Sequence, residues 1–139
     1  MLSLLSTSLL RQDFNLDGCY HVYLDVGTNV GIQIRKLYEP KLYPEAGKLH
    51  EIFEKYFKRK DKSLPFICSV GFEPNPSHEE TLKKLSEAYQ NCDWNVKIFT
   101  KTAVSDQDGQ AYFYTDHEPE NLEWGGNIIG NFDCERRWY

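Results

Sequence analysis

The stretch that most constrains this chain is Val22 to Gly31, read with His21 as HVYLDVGTNVG. An apolar run ends in an aspartate, a glycine-bearing turn follows at once, and a helical pattern begins. That order marks a nucleotide-binding α/β unit: a strand, a tight turn where backbone approaches a ligand, and a helix whose N-terminus faces it. Gly27 permits a positive φ and lets a ligand touch the backbone. Asn29 is among the few non-glycine residues that tolerate a left-handed conformation. Gly31 would permit close helix–strand packing, and Asp25 would point a carboxylate into the crevice. The spacing of Gly27 and Gly31 is that of a dinucleotide fingerprint with its middle glycine replaced. A plain strand–turn–helix corner fits the same residues.

The rest of the chain supplies alternating elements. Tyr20 to Val26 reads as a first strand with apolar or aromatic residues on both faces, which suits the middle of a parallel sheet. Val30, Ile34, Leu37 and Tyr38 form the i, i+4, i+7, i+8 stripe of a helix, and Pro40 stops it. Lys41 to Lys48 reads as a loop. Leu49, Ile52, Phe53, Tyr56 and Phe57 make a second helical stripe. Phe66 to Phe72 reads as a buried strand. Pro74 and Pro76 then forbid helix through the turn. Ser77 with Glu80 matches a capping box, ahead of a helix carrying Leu82, Leu85 and Tyr89. Trp94 to Thr100 holds a third strand with Val96, Ile98 and Phe99 inward. Asp106 to Gly109 is a turn, and Ala111 to Thr115 a further strand, paired nearby as a hairpin. Residues 1–18 form an N-terminal extension and 116–139 an irregular tail. The order β-α-(α)-β-α-β predicts a single α/β domain with a parallel sheet, flanking helices and right-handed crossovers, half of a doubly wound, Rossmann-like fold.

Two later positions bear on the first turn. Glu73 ends the second strand, where a doubly wound fold places an acidic residue on ribose hydroxyls. It follows Gly31 by 42 residues (73 − 31), against a usual ~20, and the inserted helix accounts for the excess. Ala103-Val104-Ser105 follows the third strand, where small residues could wall a flat ring; ordinary packing explains them equally well.

LDVGTNVG, then GFEPNP, then TAVSDQDGQAYFY resemble successive motifs of the FkbM-type S-adenosylmethionine-dependent methyltransferases. The resemblance runs from Tyr20 to Thr115 and more loosely through Asn121 to Gly125. It implies a class I methyltransferase fold in which Asp25, Gly27, Asn29 and Gly31 hold the methionine end of S-adenosylmethionine, with Thr28 also among the cofactor-binding residues. Glu73 would take the ribose hydroxyls, with Pro74, Asn75, Ala103 and Val104 beside the adenine. It implies O-methylation of a small-molecule, sugar or lipid hydroxyl. The donor is an activated sulfonium, so such a protein must mainly align acceptor oxygen, carbon and sulfur. The family also carries a later strand ending in a lysine–x–aspartate–isoleucine–glutamate–glycine segment. Nothing like it occurs here, so the resemblance covers the cofactor-binding half and names no catalytic residue. A sheet halved in this way leaves an open strand edge that invites self-association. Two other functions are compatible with the motifs: a non-catalytic cofactor-binding or interaction module, and a nicotinamide dinucleotide-binding protein.

Charge and composition narrow the partners. Sixteen basic residues against twenty-one acidic ones give a net charge of −5, which disfavours nucleic acid and anionic membrane surfaces. No stretch approaches the ~20 apolar residues that span a bilayer. The opening MLSLLSTSLL lacks a basic residue ahead of its apolar part, so it reads as an N-terminal helix or ragged end rather than a signal peptide. Cys19, Cys68, Cys92 and Cys134 form no C-x-x-C pair. They read as free thiols in a reducing, cytoplasmic setting. Lys55 to Lys60 interleaves bases with aromatics, as the solvated end of an amphipathic helix does. Asp106 and Asp108 fail the spacing of a calcium loop. His21, His50, His78 and His117 show no metal spacing. His117 reads as an exposed loop histidine.

Overall fold

The computed structural model describes residues 16–57 and 67–113. Three strands, β1 (His21–Val26), β2 (Ile67–Glu73) and β3 (Asn95–Thr100), form one parallel sheet in the order β1-β2-β3. Three helices accompany them: α1 (Ile32–Tyr38), α2 (Gly47–Phe57) and α3 (Glu79–Asn91). The α/β architecture matches the expectation and is compatible with a Rossmann-like fold.

Register decides which residues meet the helices. Tyr23, Ser69 and Val96 lie in one row, and Asp25, Gly71 and Ile98 in another two residues on. These rows share the face on which the core is built. Ile34 and Leu37 of α1, Phe53 of α2, and Leu82, Leu85 and Tyr89 of α3 close over Val96 and Ile98. Ile34, Leu37 and Tyr38 of α1 and Leu82, Leu85 and Tyr89 of α3 are buried as expected, but of the stripe read for α2 only Phe53 is buried, and Ile52 and Tyr56 are 49% and 58% exposed. Tyr38 and Trp94 stack at 5.2 Å, with Tyr89 beside both. In this aromatic layer Trp94 Nε1 is buried without a hydrogen-bond partner among the described residues, whereas the polar groups of Tyr38 and Glu39 are paired. The Tyr38 hydroxyl donates to the Ile67 carbonyl at 3.1 Å and accepts from Ser69 Oγ at 3.0 Å. Glu39, buried at the end of α1, accepts from Arg35 Nε at 3.0 Å and from the Tyr89 hydroxyl.

The opposite face carries Val22, Leu24 and Val26 beside Cys68, Val70 and Phe72. Phe72 stacks on Phe99 at 5.4 Å, so Phe99 points away from Val96 and Ile98, not inward with them. Among the described residues β1 pairs with β2 alone, which puts it at the sheet edge instead of the middle. Its Val22, Leu24 and Val26 are 39%, 59% and 64% exposed.

Several boundaries differ from the sequence pattern for local reasons. Left-handed Asn29 and Gly31 delay α1 to Ile32. The expected loop over Lys41 to Lys48 contains two single 3-10 turns, Pro40–Leu42 and Pro44–Ala46, and α2 begins inside it at Gly47. Proline favours such turns because its φ is preset and its missing N–H is not needed at the first position. The Ser77–Glu80 capping box does not form. Asn75 instead caps a 3-10 turn, Pro76–His78, by accepting from the Ser77 N–H at 3.0 Å, and Ser77 Oγ also donates to Asn75. Glu80 pairs with Lys84 one helical turn on. Residues 111–113 form no strand; Tyr114 and Thr115 of that expected hairpin lie outside the described residues. So do the N-terminal helix, the basic run from Lys58, His117, Cys134 and the irregular tail.

The cysteines overturn one expectation. Cys19 and Cys68 form a disulfide with a Cα–Cα distance of 5.7 Å, and Cys92 is also disulfide-bonded. The wide sequence spacing that argued for free thiols hides the fact that the segment before β1 runs beside the start of β2. Asn95 Nδ2 donates to Cys68 Sγ at 2.8 Å. Among the described residues no helix is long and apolar enough to cross a membrane.

Candidate functional site

Parallel strands bring their C-terminal ends to one edge of the sheet, and the turns that leave them line a common crevice. Here those turns follow Val26, Glu73 and Thr100. The β1 turn has three left-handed residues: Gly27 at φ 80°, Asn29 at 53° and Gly31 at 86°. A side chain at Gly27 would meet nothing within 4 Å, so the turn presents open backbone there. Gly31 differs. An added Cβ would lie 2.4 Å from Leu85 Cδ2, so the close packing that it permits is against α3, a helix, and not against a strand.

The turn is held by β2 through three consecutive residues. Gly71 leaves a notch: a Cβ there would stand 2.7 Å from Thr28 Oγ1 and 3.1 Å from Ile34 Cδ1. Buried Thr28 fills the notch and donates to the Asp25 carbonyl at 2.9 Å. The Phe72 carbonyl accepts from Gly27 N–H at 2.9 Å and Thr28 N–H at 3.0 Å. The Glu73 carboxylate accepts from Asn29 N–H at 2.6 Å through one oxygen and from Asn75 N–H at 2.8 Å through the other. Gly31 N–H bonds to Thr28 O at 2.8 Å. Four amides of the turn are thus committed to protein acceptors.

Two carboxylates therefore sit side by side at the strand ends. Asp25 and Glu73 are 7% and 5% exposed. Burial pushes the Asp25 carboxyl above its ordinary value; the Thr28 side chain works against that and the Glu73 charge adds to it. Asp25 Oδ2 is buried with no hydrogen-bond partner, an uncompensated acceptor of the kind that a ligand donor or cation relieves. His78 Nδ1 stands 3.7 Å from Glu73 Oε1, beyond hydrogen-bonding range.

The remaining expected site residues gather less tightly. Pro74 and Asn75 are half-buried beside Glu73, with Asn75 Oδ1 occupied by Ser77. Thr102 N–H donates to the Glu73 carbonyl at 3.1 Å, which ties the segment after β3 to the end of β2. Ala103 and Val104 follow it and are exposed. Sequence reasoning missed Gly71 and His78. A glycine inside a strand pattern signals close approach of another group, and Ser69-Val70-Gly71-Phe72 carried that signal. Among the described residues no group of three or more His, Cys, Asp or Glu side chains is placed to hold a metal ion.

No family model matches the sequence, and no curated protein or solved structure is significantly similar to it. The fold therefore defines the class, an α/β protein whose described residues form a three-stranded parallel sheet with two buried carboxylates at the strand ends.

Proposed function

We propose that the crevice binds S-adenosylmethionine and that the protein is a methyltransferase acting on a hydroxyl of a small molecule, sugar or lipid, with the described residues forming its cofactor-binding part. The observation that carries this reading is the pairing of buried Asp25 and Glu73 beside a turn whose amides are already used. A phosphate-binding turn offers unsatisfied N–H groups to an anion. This turn commits the amides of Gly27, Thr28, Asn29 and Gly31 to Phe72, Glu73 and Thr28. What it offers instead is carboxylate oxygen, suited to hydroxyls and to a ligand bearing positive charge. S-adenosylmethionine has both, a ribose diol and a sulfonium with an ammonium group. A dinucleotide would bring its pyrophosphate toward two carboxylates, and repulsion of like charges disfavours that.

The chemistry left to this chain is positioning. Glu73 would accept from the ribose hydroxyls with its remaining lone pairs. Asp25 would take a donor from the amino-acid end, which satisfies its orphaned oxygen. Gly27 would let that end lie against backbone. The bound cofactor supplies the activated methyl group. The cytoplasmic expectation rested on free thiols; with Cys19, Cys68 and Cys92 bonded, the chemistry favours an oxidising compartment. Self-association through the β1 edge remains part of this proposal.

Isothermal titration calorimetry tests the reading directly. The expected outcome is saturable heat with S-adenosylmethionine or S-adenosylhomocysteine and none with NAD at the same concentrations. Binding of NAD without either nucleoside ligand would overturn it.

A further inference from the structure

We infer that Glu73 is a positioning residue as well as a ligand group: its carboxylate clamps the turn after β1 to the turn after β2 and sets the crevice in shape before anything binds. This rests on the cofactor reading only for the words "ligand group"; the clamp is a property of the chain alone.

The geometry is that of one side chain serving two backbone donors. Oε2 accepts from Asn29 N–H at 2.6 Å, and Oε1 from Asn75 N–H at 2.8 Å. Asn29 stands at φ 53°, a conformation that costs a non-glycine residue energy unless its surroundings hold it. The bond from its own N–H to a buried charge supplies that hold. Asn29 is otherwise exposed, so it has little packing to fix it. Gly71 and the Phe72 carbonyl template the preceding residues, and Glu73 completes the series at Asn29. Each carboxylate oxygen retains a second lone pair. Glu73 can therefore hold both turns and still accept a pair of hydroxyls.

The clamp needs a carboxylate and not merely its shape. A glutamine has one acceptor oxygen and one NH2 group. In Glu73→Gln either Asn29 N–H or Asn75 N–H must face another donor. The substitution is isosteric and removes a constraint that nothing else among these contacts replaces.

Hydrogen exchange and binding together test the proposal. In the unliganded wild-type protein, the Asn29 and Asn75 amides are expected to exchange about tenfold to a hundredfold more slowly than the exposed Asp108 amide, as bonds to a charged acceptor allow. This measurement needs no variant to fold. In Glu73→Gln at least one of the two amides loses that protection, while Val70 in the sheet keeps its own. Titration with S-adenosylhomocysteine and with its 2′,3′-dideoxy analogue then separates clamp from contact. The dideoxy ligand has no hydroxyl for residue 73. If Glu73 positions the site, Glu73→Gln weakens both ligands, the analogue by about tenfold, the worth of one such bond. Loss of affinity confined to the diol-bearing ligand would overturn the positioning role. So would an Asn29 amide that exchanges freely in the wild type. Protected amides in a protein that binds neither nucleoside would leave the clamp standing and remove the cofactor reading instead.

Discussion

Gly31 carries two constraints at once, and each has its own cost. Its φ of 86° is strained for any residue with a Cβ, and that Cβ would press on Leu85 at 2.4 Å. A left-handed alanine costs ~1–2 kcal/mol and overpacking a well-filled site ~1–3 kcal/mol. Gly31→Ala is expected to lower stability in urea unfolding by about 2–5 kcal/mol. Gly27 shares the left-handed backbone but faces open space, so Gly27→Ala should cost only the conformational part. Equal losses at the two glycines would show that Leu85 does not close on the turn.

Asp25 gives a pH signature. Its carboxyl is raised from the ordinary 3.8 by burial first, with Glu73 adding to the shift. A raised folded-state value means that folding favours the protonated form. Its stabilising contribution is then complete below 3.8 and disappears as pH rises through the folded value. Asp25→Asn removes this dependence. In thermal melts of unliganded protein the variant should gain most over the wild type near neutral pH, and the gap should close as pH falls through the raised folded-state value and be gone below 3.8. A gap that widens in acid would mean that Asp25 is stabilised as the anion.

At the scale of the elements, α1 has only seven residues, too few to be stable alone. It is fixed by what it touches. Ile34 and Leu37 are fully buried, and Glu39 at its end links Arg35 to the Tyr89 hydroxyl of α3. Tyr89→Phe keeps the ring in the aromatic layer and removes only the donor. Glu39 stays buried with one partner fewer, at an expected cost of about 1–3 kcal/mol by chemical denaturation. A loss below ~0.5 kcal/mol would place the bond within the range of an ordinary surface substitution. The same element logic explains the capping box that did not form. Asn75 precedes two constraints, Pro76 and the bond from its own N–H to Glu73. It therefore caps a 3-10 turn, and Ser77 becomes a donor to it instead of the cap of α3.

For the molecule as a whole, the Cys19–Cys68 disulfide closes a loop with a sequence separation of 49, enclosing β1, α1 and α2. Constraining a loop of that length in the unfolded chain is worth about 4 kcal/mol by the chain-entropy account. A Cys19→Ser, Cys68→Ser double variant is expected to lose about that much stability while Cys92 keeps its own bond. The experiment is denaturant unfolding without reductant. A loss under ~1 kcal/mol would show that the crosslink constrains little that the unfolded chain is free to explore.

The alternation of strand and helix, the parallel sheet, and the core stripes of α1 and α3 were legible in the sequence, because periodicity reports which side of an element meets the core; on α2 the same pattern overreached, since Ile52 and Tyr56 are exposed. Asp25, the left-handed turn and Glu73 were legible for a related reason: glycine, asparagine and an acid at a strand end are unusual enough in place to betray a backbone or ligand demand. What stayed hidden was every property that depends on two distant segments meeting. Cys19 and Cys68 look like isolated thiols until β1 and β2 pair in register. Gly71 looks like a weak strand residue until Thr28 fills its notch. Glu73 looks like a ribose ligand alone until Asn29, 44 residues away, turns its amide toward it. The chain's local chemistry therefore determined the strands and helices of the α/β layer and the left-handed turn after β1. Only the tertiary structure decided that the β1 turn spends its amides on β2, because hydrogen bonds between distant segments leave no periodic trace in the order of residues.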